Sequence, residues 1–318
     1  MTTSEPPHSR ARWSEIAVKL RHEPRALQRF VSRKTFRLNE TLGFHVVGNH
    51  FYEPIPDLRD IDRWWSDDAK PCHGVRIDVE GCESYLVDLL DAAPGFASVY
   101  EQGFVDANPS FTSLDAVALY CFLRRERPST VVEVGQGWST RVIVAALSDN
   151  HRAGIHEVSP RLVTIDPHPR IDPAALDTPI RIDTHRVPVQ SATADVLAAL
   201  APGDLLFVDS SHVHKPGSDV ETVFDVLIPG VPEGVFVHLH DIYTPYRYPR
   251  AWYSEAKRFW NEGEHLEDFL RFNDAFEVVL PVQMLIRQSS LLRDRWQREG
   301  RGPLEGSSFY LRRVSPPC

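Results

Sequence analysis

The residues able to do chemistry in this chain gather in short stretches where an apolar run ends on polar side chains. The most informative is Val131-Val-Glu-Val-Gly-Gln-Gly-Trp-Ser-Thr140, in which β-favouring residues flank Glu133 and two glycines, Gly135 and Gly137, stand two apart. From Trp138 the chain reads as a helix, so a buried strand is expected to break at a tight glycine turn into a helix N-terminus. Such a turn lets backbone N–H groups approach a ligand closely. A pyrophosphate site requires a third small residue in the pattern G-x-G-x-x-G/A, and Thr140 stands there instead. S-adenosylmethionine (SAM) has no pyrophosphate and makes no such demand, so a SAM site competes well with a dinucleotide site.

Three further runs close on acids. Leu162-Val-Thr-Ile-Asp-Pro167 ends at Asp166, where a carboxylate at a strand's C-terminal edge can accept both hydroxyls of a ribose. Leu205-Leu-Phe-Val-Asp-Ser210 ends at Asp209, and Val235-Phe-Val-His-Leu-His-Asp-Ile242 ends at Asp241. Segments with helical potential separate these runs. The expected architecture is an α/β, Rossmann-like, doubly wound, seven-stranded and mostly parallel sheet with helices on both faces and the site beyond the strands' carboxyl ends. The remaining strands are expected at 181–189, 276–280 and 307–314.

The glycine element resembles motif I of the class I SAM-dependent methyltransferases, E/D-x-G-x-G-x-S/T, filled here by Glu133, Gly135, Gly137 and Ser139. The order of Glu133, Asp166, Asp209 and Asp241 is similar to that of metal-assisted, catechol-type O-methyltransferases over roughly residues 110 to 315. That resemblance implies SAM as cofactor, contacted by Glu133, Gly135, Gln136, Gly137, Ser139, Thr140 and Asp166, with Gln190 and Ser191 near the adenine. It also implies a divalent cation, Mg²⁺ or Mn²⁺, held by Asp209, His240 and Asp241. The general-base lysine of those enzymes falls on His212, making His212 the first choice of base and His240 the second. The segments Asp209-Ser-Ser-His212 and His238-Leu-His-Asp241 also look like a bacterial methyltransferase group. Two positions depart from the catechol-type pattern, with His240 in place of a carboxylate and Asp241 in place of an amide. Mg²⁺ prefers an all-oxygen shell, whereas imidazole suits Mn²⁺, Fe²⁺ or Zn²⁺.

Methyl transfer needs few protein groups. The sulfonium already makes its methyl electrophilic, leaving positioning and deprotonation of the acceptor to the protein. An imidazole with a pKa of about 6.5 can take that proton at neutral pH, and a nearby cation would lower the acceptor's own pKa. Beyond Asp241, the stretch Tyr243-Thr-Pro-Tyr-Arg-Tyr-Pro-Arg-Ala-Trp-Tyr253 is rich in aromatics and prolines. It reads either as a loop over the acceptor, with Tyr243, Tyr246, Arg247 and Trp252 against a sugar, phenol or anion, or as a packing flap. Ser218 or Asp219 is expected to cap a helix, and one long helix is expected over 255–271.

Composition bounds the rest. The chain has 318 residues, 42% hydrophobic content and a formal charge of −9, enough for a large core and unfavourable for bulk nucleic-acid binding. No apolar run of about 18 residues marks a transmembrane helix, and no apolar N-terminal core marks a secretory signal, so a cytoplasmic enzyme is expected. Cys72, Cys82, Cys121 and Cys318 are scattered, without a zinc-like array, and reduced thiols are expected. Residues 1–9 read as a disordered tail, 10–109 as an extension that could cover the acceptor, and 110–318 as the SAM-binding domain. Within the extension, basic residues of 10–37 accompany an apolar face of Trp13, Ile16, Ala17 and Leu20, which either packs on the domain or meets an anionic surface. The leading expectation is O-methylation of a small-molecule or glycan hydroxyl. Two alternatives stand beside it: a metal-dependent hydrolase using His238, His240 and Asp241 with His212 and Asp209, and a non-catalytic binding protein on a SAM fold.

Overall fold

The computed structural model describes residues 24–50, 52–92, 110–111, 113–172 and 175–317. The apolar face at Trp13, Ile16, Ala17 and Leu20, the tail 1–9 and Cys318 lie outside the described residues, and the expected boundary at 109–110 falls at the end of an undescribed stretch. The chain divides into two compact units, 1–66 with 250–257 and 67–249 with 258–318.

In the first unit, the helices among the described N-terminal residues are α1 (Pro24–Thr41) and α2 (Leu58–Trp64). Asp57 caps α2, its carboxylate accepting from Arg59 N at 2.9 Å. A short helix from Arg250 to Ser254 belongs to the same unit, where Arg250 pairs with Asp62 and Tyr253 meets Trp65 edge-on at 5.5 Å. Trp252 lies on that helix.

The second unit is the sheet and its helices. Among the described residues of this unit, α3 (Val79–Ala92) and α4 (Ser113–Glu126) precede β1 (Thr130–Val134). Then come α5 (Trp138–Arg152), β2 (Arg161–Ile165), β3 (Arg181–His185), α6 (Thr193–Ala199) and β4 (Leu205–Val208). The next helix, α7, starts at Asp219–Thr222, passes through a π-helical turn at Val223–Leu227 and ends at Ile228–Gly230. It leads into β5 (Phe236–Leu239); with the Arg250–Ser254 helix counted as α8, there follow α9 (Glu262–Leu270), β6 (Phe276–Pro281), α10 (Val282–Gln288), α11 (Ser290–Arg298) and β7 (Phe309–Arg313).

The strand order is β3-β2-β1-β4-β5-β7-β6, parallel from β3 to β5, with β7 antiparallel to both its neighbours. This is the seven-stranded, Rossmann-like arrangement expected from the sequence. Its central strands are buried on both faces, so they read as continuous apolar runs. Alternate residues feed two cores. Val131, Leu162, Leu205 and Phe207 pack with Leu86, Leu119, Phe122 and Ile143, whereas Val132, Val163, Leu206 and Val208 pack with Val196, Val220, Leu227 and Leu266. The chain crosses from one side of β1 to the other between β3 and β4, which opens a crevice beyond the carboxyl ends of β1 and β4.

Two boundaries differ from expectation. The third strand stops at His185, before Pro188 begins a 3₁₀ turn at Val189–Ser191. The first turns of the helix expected over 255–271 are broken, and only Glu262–Leu270 is helical within it. Lys257 adopts a left-handed φ of 55°, and α9 starts only where Asn261 N and Glu262 N donate to His212 O at 3.1 and 3.3 Å. Apolar spacing alone cannot report such a break, because the competing acceptor lies 50 residues away in sequence. Ser218 caps α7, its hydroxyl accepting from Glu221 N at 3.1 Å. Cys72, Cys82 and Cys121 are free thiols.

Candidate functional site

The glycine turn closes β1 against β4. Gly135 has φ 87° and donates to Ile165 O at 3.0 Å, while Asp209 N donates to Val134 O at 2.9 Å. Gly137 is extended and caps α5, its N–H donating to Thr140 Oγ1 at 3.1 Å; a β-carbon on Gly137 would meet no atom within 4 Å. Glu133 is fully buried beneath the turn, with Ser139 Oγ at 2.7 Å from Oε1 and Thr140 Oγ1 at 2.8 Å from Oε2. Burial pushes its carboxyl up to about 8, against the pull of the two hydroxyls. Glu133, Ser139 and Thr140 thus brace the turn from inside. Asp166 stands just past β2, accepting from Gln136 N at 2.8 Å and His168 N at 2.6 Å. Gln136 is buried, yet both polar atoms of its amide lack a hydrogen-bond partner. The open face at Gly137 and the unpartnered amide of Gln136 beside it suit a polar ligand. Gln190 and Ser191 are exposed, and Gln190 Nε2 donates to Gly217 O at 3.0 Å.

Beside this turn the ends of β4 and β5 bring four expected residues together. His212 Nε2 lies 3.3 Å from Asp209 Oδ1 and 3.7 Å from Asp241 Oδ2. His240 Nδ1 lies 3.6 Å from Asp209 Oδ1 and 3.8 Å from Asp241 Oδ2. Ligand atoms of Asp209, His240 and Asp241 all fall within 4.8 Å of one another. His212 and Asp241 both hold left-handed backbone, φ 60° and 56°, a strain that persists only where surroundings impose it.

Partners from distant elements complete the cluster. Glu262, opening α9, hydrogen-bonds His212 Nδ1 at 2.9 Å, and Ser307 Oγ donates to Asp241 Oδ1 at 2.9 Å. Asp115, in the first turn of α4, takes the backbone N–H groups of Ser307 and Ser308 and places Oδ2 3.4 Å from His240 Nε2. None of Asp115, Glu262 or Ser307 was visible as a site residue in the sequence. Each lies outside the strand-end motifs, and an isolated acid near a helix start reads simply as a capping charge.

Electrostatics follow from this packing. Burial alone would lower the His212 pKa, but its bonds to Asp209 and Glu262 raise it to about 10. His240 is likewise driven well above the usual imidazole range, burial being outweighed by the charges of Asp209 and Asp241. Asp209 is held far below the usual carboxylate range, the two imidazoles overcoming its burial. Glu262 is raised by burial despite His212. His238 behaves differently. It is fully buried between Phe207 and Tyr310, with ring centroids at 4.3 and 4.4 Å, and burial together with the His240 charge depresses it to about 3. It does not join the ligand cluster, which removes one member from the expected hydrolase set.

An aromatic row flanks the cluster. Trp260 sits over His212 at 4.2 Å, Tyr248 meets Trp260 edge-on at 6.0 Å, and Tyr243 lies 5.5 Å from Tyr248. Trp260 and Tyr248 were not anticipated as wall residues. Tyr246 is occupied elsewhere, under the Arg287 guanidinium at 4.2 Å and accepting from Gln288 Nε2 at 3.1 Å, while Arg247 is exposed. The loop is anchored by Lys70 N donating to Pro245 O at 2.8 Å, and by Gly263 N donating to Tyr248 OH at 3.1 Å. Trp252 belongs to the other compact unit.

Residues 132–242 match the model of a family described as a methyltransferase domain. No curated protein matches the chain. Similar solved structures include the SAH-bound methyltransferase PaMTH1 of Podospora anserina, at 15% identity over 74% of this chain and 92% of that one, with a TM-score of 0.40. Others are a putative methyltransferase from Thermobifida fusca YX (15%, 77% and 97%, TM-score 0.39) and SAH-bound CmcI-N160 (18%, 64% and 79%, TM-score 0.34). The matched segment runs from β1 through the glycine turn to the residue after Asp241, and so contains both halves of the site just described. Over that segment the chain is similar to a methyltransferase domain. Among the described residues no helix is long and apolar enough to cross a membrane.

Proposed function

We propose that this protein is a SAM-dependent methyltransferase that acts on an oxygen of a small-molecule or glycan acceptor, with SAM at the Gly135–Gly137 turn and the acceptor hydroxyl at the Asp209–His212–His240–Asp241 cluster. The observation that carries this reading is the buried Glu262–His212 pair, 2.9 Å long, which aims Nε2 at the strand-end carboxylates. In the reaction the acceptor oxygen forms a bond to the methyl carbon as the sulfur–methyl bond breaks, giving S-adenosylhomocysteine (SAH). The acceptor's proton passes to His212 Nε2. Glu262 fixes the imidazole so that Nδ1 carries the other proton and Nε2 is the accepting atom, an orienting role familiar from other acid–imidazole pairs.

Neighbouring acids bear on the timing of that transfer. The carboxylates of Asp209 and Glu262 favour a protonated His212, which cannot accept a proton at neutral pH while those charges stand unbalanced. Asp209, His240 and Asp241 have the residue types and spacing to hold a divalent cation, which would both offset these charges and lower the pKa of an acceptor hydroxyl. Asp166 suits the ribose hydroxyls, and the orphaned amide of Gln136 suits a polar group of the cofactor. Trp260, Tyr248 and Tyr243 supply an apolar wall against a ring-shaped acceptor.

Calorimetric titration with SAH, with and without Mn²⁺ or Mg²⁺, tests the cofactor half. Micromolar-range binding is expected, and no binding under any condition would overturn it. Methyl transfer from labelled SAM to hydroxyl and amine panels tests the oxygen preference; labelling of amines alone would overturn that part.

A further inference from the structure

The surroundings of His240 bear on which ion the Asp209–His240–Asp241 cluster suits. His240 is only 4% exposed, and neither ring nitrogen has a hydrogen bond of good geometry. Nδ1 nevertheless faces Asp209 Oδ1 and Asp241 Oδ2 at 3.6 and 3.8 Å, too long for good hydrogen bonds. A small ion with ligands about 2.1 Å away separates neighbouring ligand atoms by roughly 3–3.4 Å, so modest contraction would let one ion satisfy all three.

The far side of the ring is controlled by Asp115. Its carboxylate is buried, and the backbone N–H groups of Ser307 and Ser308 hold it in place. Oδ2 is left 3.4 Å from His240 Nε2. A carboxylate there can only accept, so it places the ring proton on Nε2 and leaves the Nδ1 lone pair toward Asp209 and Asp241. An outer carboxylate that orients a metal-binding imidazole is a recurrent arrangement in metal centres.

We infer that Asp209, His240 and Asp241 form a mixed nitrogen–oxygen centre that selects a transition-metal dication, Mn²⁺, Fe²⁺ or Zn²⁺, over Mg²⁺, and that Asp115 is the positioning residue that presents His240 Nδ1 to it. This inference rests on the cation reading of the same cluster. The donor set does not fit Mg²⁺, which demands an oxygen octahedron and dehydrates reluctantly, whereas imidazole is a good ligand for the later ions. Asp115 lies on α4, outside the segment matched by the methyltransferase model.

The test is metal binding by the full-length protein, read by calorimetry and by the ¹⁴N modulation in pulsed EPR of bound Mn²⁺. Wild type is expected to bind Mn²⁺ and Zn²⁺ at least about tenfold more tightly than Mg²⁺ and to show imidazole nitrogen coupling. In His240→Asp the coupling should vanish and the preference over Mg²⁺ should narrow. Asp115→Asn keeps an oxygen for Ser307 and Ser308 but offers His240 Nε2 an N–H, favouring the tautomer with its proton on Nδ1. It should weaken Mn²⁺ binding about 10–100-fold while SAH affinity, measured in parallel, stays unchanged. Equal affinity for Mg²⁺ and Mn²⁺ in wild type, nitrogen coupling that survives His240→Asp, or undiminished binding in Asp115→Asn would overturn the inference while leaving a cation site. No binding of any dication, with SAH still bound, would overturn the cation reading itself.

Discussion

The backbone carbonyl of Asp209 occupies the space that a side chain on Gly135 would need: a β-carbon there would lie 1.8 Å from that oxygen. The glycine turn after β1 and the acid that follows β4 are therefore one packed unit. Gly135→Ala is expected to damage the fold, since its φ of 87° is itself unfavourable for a residue with a β-carbon, at about 1–2 kcal/mol, before the collision is counted. Gly137→Ala has open space and extended backbone, so its melting temperature should stay near wild type, and Gly137→Arg should abolish SAH binding. Thermal melts and SAH titrations of the three variants separate the two glycines; equal melting temperatures for the two alanine variants would count against the packing argument.

His212→Ala should leave SAH affinity intact and lower turnover roughly 10²–10⁴-fold, the range for loss of a positioned base. Glu262→Gln keeps the shape of the partner at 2.9 Å but removes its charge, and should lower turnover in the same direction by a smaller factor. Single-turnover rates at saturating SAM are the measurement. Undiminished rates in His212→Ala would transfer the base role to another group.

Chelation addresses the cation separately. Dialysis against a strong chelator, and the Asp209→Ala variant, are each expected to suppress turnover while SAH still binds. Activity that resists both treatments would remove the ion from the reaction.

Glu133 and His238 give pH dependences of stability with opposite signs. Glu133 holds its proton up to about 8 when folded but loses it near 4.5 when unfolded. Between those values the unfolded chain binds fewer protons, so stability falls as pH rises from about 4.5 to about 8 and levels off above. Glu133→Gln should flatten that limb, as seen in melting temperature against pH.

His238 stays neutral down to about 3 when folded but takes up a proton near 6.5 when unfolded. Its contribution is complete above 6.5 and is lost as pH falls toward 3. Both ring nitrogens lack partners, so His238→Phe should match or exceed wild type in melting temperature below pH 6.5. A large loss of stability in that variant would reveal a polar partner for the ring.

Much of this protein was legible in its sequence because the information is local. Strands buried on both faces must be continuously apolar, and a tight turn into a helix needs glycine, so Val131–Thr140 announced both the sheet and the turn that ends its first strand. The acids Asp166, Asp209 and Asp241 ended their strands as expected, and Asp209, His212, His240 and Asp241 met at one place. His238 and His240 differ in their surroundings. Two residues apart on a strand they share a face, yet His238 sits deeper, between Phe207 and Tyr310, and only His240 reaches the strand's end.

The tertiary structure decided what each polar group does, because function here depends on contacts between segments far apart in the chain. Glu133, Ser139 and Thr140 turned out to satisfy one another within one turn and helix. Glu262 reaches His212 across 50 residues, and Ser307 reaches Asp115 across 192. No period or motif encodes such pairings. They arise when a sheet with a fixed strand order brings helix starts and loop ends to one edge, where burial removes water and leaves each charge to be set by its neighbours. Sequence thus determined the fold and which strand-end residues meet, and packing alone determined the partners of each imidazole.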